Sequence, residues 1–124
     1  MKRTFFNNEQ PRDQTAGHTK NWGPQYWYFI HMAAVSYSNN PTPEMKSVMK
    51  HFLIGIPVFL PCGACKKHSE AFLTEKRYLL DWAVSNRTNL FEFTWAFHNH
   101  VNALTAKPQI SLAKAKEDYH FFTS

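Results

Sequence analysis

The sequence predicts an all-α fold, a bundle of four helices with a short fifth one. Three observations lead there. Apolar residues recur three and four positions apart over most of the chain. Runs that alternate apolar with polar residues are scarce and β-branched residues do not cluster, so nothing asks for strands. Breakers cut the chain into helix-length pieces, at Asn39-Asn40-Pro41, at Pro57 and Pro61, and at Lys107-Pro108. The 124 residues suffice for one domain with one core and are too few for two.

Residues 1–20 are polar and aperiodic and read as a flexible N-terminal arm, with Phe5 and Phe6 docking locally; residues 21–124 read as the folded domain. From Trp22 the pattern changes: Trp27, Ile30, His31, Ala34 and Val35 fall at helical spacing, with Pro24 in the first turn. A second helix opens with Thr42 as N-cap and Pro43 at the first helical position, and turns Val48, Phe52 and Ile56 inward before Pro57 or Pro61 ends it. The third starts at Cys62 and carries Ala71, Phe72 and Leu73 inward. Residues 76–88 read as an irregular connection with a short turn over 79–84. The fourth helix runs from Asn89 to Leu104 with Phe91, Trp95, His98 and Asn102 at near-helical spacing, and Ser111 to Phe121 form the short fifth.

Net charge is +5, but the basic residues are dispersed and no binding motif accompanies them, so no nucleic-acid partner is expected. No apolar run has signal-peptide or membrane-spanning character, which predicts a cytoplasmic chain away from membranes. An Asn86-Arg87-Thr88 sequon then carries no weight. Aromatic residues make up 16% of the chain, with eleven Phe, enough for a dense core or for walls around a flat ligand.

The chemistry centres on Cys62-Gly63-Ala64-Cys65, which contains both of the chain's cysteines. Two sulfurs on one helical turn can form and break a disulfide, and a helix N-terminus lowers the pKa of the exposed thiol. Three other readings stay open at this point: a buried structural pair, zinc held by Cys62, Cys65 and His68 with His98 or His100, and a c-type haem. The haem lacks its His, since Lys66 follows Cys65.

Two helices place polar groups where a plain bundle would carry Leu or Ala. His31 follows Trp27 by four residues; His98 and Asn102 are four apart, with Trp95 one turn earlier. Buried polar groups need partners, and two such sites beside a Cys-x-x-Cys helix suggest a planar polar ligand between helices. A flavin meets these demands, with cations such as Lys107 for its diphosphate. The absence of a Gly-x-Gly-x-x-Gly turn after a strand excludes a Rossmann-type cofactor domain.

The ordered set Trp22-Gly23-Pro24-Gln25-Tyr26-Trp27-Tyr28-Phe29-Ile30-His31, Pro61-Cys62-Gly63-Ala64-Cys65, Trp95-Ala96-Phe97-His98-Asn99-His100-Val101-Asn102 and Lys107-Pro108 resembles the Erv/ALR family of FAD-dependent sulfhydryl oxidases. The resemblance covers roughly residues 22 to 120. It implies FAD held non-covalently within the helical bundle, and a homodimer. Motif by motif it implies FAD contacts from Trp22, Gly23, Trp27 and His31, from His98, Asn99, Val101 and Asn102, and from Lys107 near phosphate or ribose. Tyr119 stands where relatives often have Trp, and Tyr37 would line the adenine end. The second, shuttle Cys pair of larger cellular members is missing, which makes this the minimal form found among large DNA viruses, at home in host cytoplasm or the virion.

The implied cycle starts with a dithiol protein substrate, or a separate thiol relay protein, attacking the disulfide at Cys62, the sulfur expected to be more accessible. Cys65 lies against the flavin and passes two electrons into it, and O2 takes them to give hydrogen peroxide. The alternatives are a small zinc-stabilised helical interaction module, a flavin-free thiol exchanger of mixed α/β fold, and a basic helical nucleic-acid module.

Overall fold

The computed structural model describes residues 19–121, with side chains from Trp22 onward, and these are all-helical. The N-terminal arm read at 1–20, with Phe5 and Phe6, lies outside the described residues up to residue 18. The elements are α1 (Thr19–Val35), α2 (Pro43–Gly55), α3 (Gly63–Glu75), α4 (Leu80–Ala83), α5 (Arg87–Leu104) and α6 (Leu112–Asp118), with 3-10 turns at Ile56–Phe59 and Arg77–Leu79. Four long helices therefore form the bundle, and α4 and α6 are its short pieces.

Local chemistry sets most of these boundaries. Thr42 caps α2 by accepting the Met45 N–H, with Pro43 at the first helical position. Ser111 caps α6 through the Lys114 N–H, and Asn86 caps α5 through the Asn89 N–H at 2.8 Å. The Asn86 cap starts α5 at Arg87, two residues before the expected start. Helix α1 begins at Thr19, so Pro24 stands inside it rather than in its first turn. Its missing N–H leaves the carbonyl four residues earlier without the usual helical donor.

The core is centred on α5, which packs against α1, α3, α4 and α6. Leu90, Phe91 and Phe97 of α5 are fully buried with Leu53, Ala34 and Ala83. Two inward assignments are corrected. Val48 is 69% exposed, because α2 turns Met49 and Leu53 to the core instead. Ala71 is exposed, since the buried face of α3 runs through Ser69, Phe72 and Leu73. The other inward assignments stand: Ile56, Phe72 and Leu73 are buried, and Phe52 packs half-buried against the core.

Candidate active site

Cys62 and Cys65 form a disulfide across the start of α3. Leu60 and Cys62 are extended, so Cys62 is the N-cap and its Sγ accepts the Cys65 backbone N–H at 3.1 Å. When the bond is reduced, that N–H and the helix dipole favour the thiolate on Cys62. The expected order of exposure is reversed: Cys62 is 4% exposed, while Cys65 is half-buried. The capping bond folds the Cys62 sulfur in over the helix end, and Cys65, three residues into the turn, is left more open. Both sulfurs are bonded to each other, and no group of three metal ligands occurs among the described residues, so the zinc reading has no site.

Rings connect α3 to a second cluster between α1 and α5. Phe72 stacks on Phe97 at 4.9 Å, and Phe97 meets the edge of Trp27 at 5.1 Å. Trp27 lies flat against His98, with ring centroids 4.1 Å apart and planes within 9°. His98 Nδ1 and His31 Nε2 share a hydrogen bond of 2.9 Å, and Tyr119, at the end of α6, covers His31 at 4.3 Å. Trp27, His31, His98 and Tyr119, predicted from three separate stretches of sequence, are thus one site.

Burial keeps both imidazoles neutral. His31 is 1% exposed and desolvation, helped by neighbouring His98, lowers its pKa to about 3. Desolvation and then the Lys107 charge lower His98 to about 4. The Lys107 effect also places its ammonium within electrostatic reach of the cluster, though the side chain itself is exposed.

The remaining candidates divide. Asn102 is 5% exposed, and its side-chain amide makes no hydrogen bond among the described residues; its carbonyl accepts the Lys107 N–H at 2.8 Å. That turn is closed by Ala106 at φ 58°, a left-handed residue at the end of α5. The buried Trp22 indole N–H likewise lacks a partner, and a Cβ at Gly23 would meet nothing within 4 Å. Val101 is half-buried at the core edge.

Asn99 and Tyr37 each hold backbone groups of a distant segment. The Asn99 amide donates to the Ile110 carbonyl at 2.7 Å and accepts the Ile110 N–H at 2.8 Å, while Trp95 Nε1 donates to the same carbonyl at 2.7 Å. Tyr37 donates its hydroxyl to the Val84 carbonyl at 2.7 Å, and its own carbonyl accepts from Arg87 Nε at 2.6 Å. Those bonds lock the loop after α1 to the α4–α5 corner, so Tyr37 is not brought to the aromatic cluster. The sequence reading missed Thr94, whose hydroxyl lies 3.2 Å from His31 Nδ1. Only its spacing signals it, one helical turn before His98.

These features suit a flat, polar cofactor: stacked aromatic walls, an orphaned buried donor at Trp22, the Asn102 amide with no hydrogen bond among the described residues, open space at Gly23, and a cation at the rim. An open cleft of about 600 Å³ elsewhere, between α2 and α4, is lined by Lys46, Lys50, Arg77 and Asp81 and shares no residue with this site.

Comparison with known proteins gives the same picture. A protein of Invertebrate iridescent virus 3, provisionally named FAD-linked sulfhydryl oxidase 096R, is 39% identical over 100 residues, 81% of this chain and 66% of that one. The FAD-linked sulfhydryl oxidase of African swine fever virus (isolate Warthog/Namibia) is 32% identical over 98 residues, 79% of each chain. The crystal structure of the FAD binding domain of Erv1 from Saccharomyces cerevisiae superposes with a TM-score of 0.74 at 26% identity, covering 86% of this chain and 98% of that one. With residues 24–120 matching the Erv1 / Alr family profile as well, the chain belongs to the Erv1/Alr family.

Proposed function

We propose that this protein is a FAD-linked thiol oxidase that forms disulfides in dithiol substrates and passes the electrons to O2, yielding hydrogen peroxide. One observation carries the reading: a lone Cys-x-x-Cys disulfide caps a helix that stacked rings join to a buried Trp–His–His cluster fit for a flat cofactor. FAD supplies, when bound, a two-electron acceptor that O2 can reoxidise.

The chain's own residues do the rest. A substrate thiolate attacks Cys62 Sγ, the Cys62–Cys65 bond breaks, and Cys65 leaves as thiolate. The second substrate thiol resolves the mixed disulfide, so the substrate is oxidised by two electrons and the enzyme pair is reduced. Because Cys62 is 4% exposed, this attack requires its cover to give way. The Cys65 N–H stabilises the Cys62 thiolate released in the second step. Cys65, half-open in the protein alone, faces the cofactor in this reading.

Trp22, Gly23, Trp27, His31, His98, Val101, Asn102, Lys107 and Tyr119 are the proposed cofactor contacts. The domain is residues 21–124, preceded by an arm. A homodimer is supported by exposed apolar residues: Met45 and Val48 on α2, Phe29 of α1, which meets the half-buried Phe52 at 5.8 Å, and Phe59, which is 74% exposed. No helix among the described residues is long and apolar enough to cross a membrane. The viral relatives favour host cytoplasm or the virion as its place of action, with a protein dithiol or a separate relay protein as electron donor.

The test is the visible spectrum of the purified chain before and after a dithiol. A flavin band that bleaches and returns in air supports the proposal. A colourless protein, prepared under conditions that retain FAD, overturns it.

A further inference from the structure

We propose that Thr94 is a positioning residue that fixes the tautomers of both site histidines, so that His98 presents Nε2 to the cofactor as a hydrogen-bond acceptor. The argument is a count of protons. The Thr94 hydroxyl has one, and it goes to the Phe91 carbonyl at 2.9 Å, the usual back-bond of a helical Thr. Thr94 Oγ1 is therefore an acceptor toward His31 Nδ1, 3.2 Å away, and His31 carries its proton on Nδ1.

A neutral imidazole has only one N–H, so His31 Nε2 is a bare lone pair. The 2.9 Å contact with His98 Nδ1 is then donated by His98, and His98 Nε2 is left bare in turn. The lowered pKa values of both rings agree with the single proton on each that this count needs. Trp27, flat on His98, holds the ring plane, so the lone pair has a fixed direction. His98 Nε2 makes no hydrogen bond among the described residues, which leaves it for a ligand. A chain of four hydrogen bonds, from a backbone carbonyl to a ligand atom, thus runs one way only.

The ligand half of this inference rests on the flavin reading: the atom meeting His98 must be an N–H or O–H donor of the cofactor. The tautomer half does not. Had the polarity been reversed, with Thr94 donating to His31, His98 would offer an N–H and select an acceptor instead.

The experiment reads the side-chain nitrogens of His31 and His98 by long-range ¹H–¹⁵N correlation in the full chain, for wild type, Thr94→Val and Thr94→Ser, with flavin retention measured alongside. Wild type is expected to carry both protons on Nδ1. Thr94→Val keeps the shape but removes the acceptor, so His31 moves to the Nε2–H form, the bond to His98 reverses, and its Nε2 becomes protonated. The tautomer ratio should change by roughly tenfold, the worth of a buried donor left unpaired, and flavin affinity should fall by a similar factor. Thr94→Ser restores both.

A wild-type His98 protonated on Nε2, or a Thr94→Val spectrum identical to wild type, overturns the proposal. The wild-type spectrum decides even if Thr94→Val does not fold. Equal flavin affinity in all three proteins overturns the ligand half, while a colourless wild type overturns the flavin reading and leaves the tautomers readable.

Discussion

Two polar clusters on α5 differ by a single residue step, about 100° around the helix. Thr94 and His98 face α1; Trp95 and Asn99 face the segment entering α6. Both clusters pair an aromatic neighbour with a hydrogen-bonding side chain, and both would cost stability if unsatisfied. The second closes on itself: Trp95 and Asn99 supply two donors to the Ile110 carbonyl, and the Ile110 N–H returns to Asn99. The first is open, since its hydrogen bonds end at His98 Nε2. A closed network is a staple for the chain, while an open one in a stacked aromatic pocket is where a ligand completes the count.

The largest effect that bears on this contrast leaves both clusters intact. Cys65→Ser should cut dithiol oxidation by at least about 10³-fold, as loss of a covalent-catalysis partner does, while retaining bound flavin. Loss of the flavin would mean that Cys65 is mainly structural. Next, His98→Ala and Asn99→Ala should separate the two clusters. His98→Ala should weaken flavin binding by roughly 10- to 100-fold. Asn99→Ala should instead lower stability by about 2 kcal/mol, because the Ile110 N–H loses its partner. Denaturant unfolding beside flavin titration reads both, and a strong loss of flavin affinity with unchanged stability in Asn99→Ala would erase the distinction.

Acid should expose the open cluster. Its histidines have folded pKa values of about 3 and about 4, below the unfolded value near 6.5. Between pH 6.5 and about 3 the unfolded chain binds more protons, so stability is full above that window and falls as pH drops through it. His98→Ala should flatten the slope, whereas Asn99→Ala should leave it unchanged. The smallest effect is Trp95→Phe, which removes one of two donors to Ile110 and should cost about 1 kcal/mol in thermal unfolding. No change would mean that Asn99 alone staples the segment.

Much of this was legible beforehand, for reasons particular to each residue. Thr42, Pro43 and Ser111 mark helix starts through short-range chemistry. Trp27, His31 and His98 announce themselves because polar groups interrupt apolar stripes. Val48 and Ala71 show the limit, since a stripe two residues wide leaves the phase of a helix undecided until a partner packs on it. Tyr37 and Asn99 show another limit. The Val84 and Ile110 backbone groups they bind lie 47 and 11 residues away, where no local pattern points. Thr94 was passed over because a Thr inside a helix ordinarily satisfies itself by back-bonding.

By itself the amino-acid sequence determined the helical class, the breakpoints, the redox-capable cysteine pair and the set of aromatic and polar residues able to hold a cofactor. These depend on spacing and residue chemistry within a few turns. Only the tertiary structure decided which of those residues meet, that Cys62 is the more buried cysteine, that Asn99 staples the segment entering α6, and that Thr94, His31 and His98 form one hydrogen-bonded row. Each depends on a partner from another helix, and a hydrogen bond has neither direction nor strength until both its ends are in place.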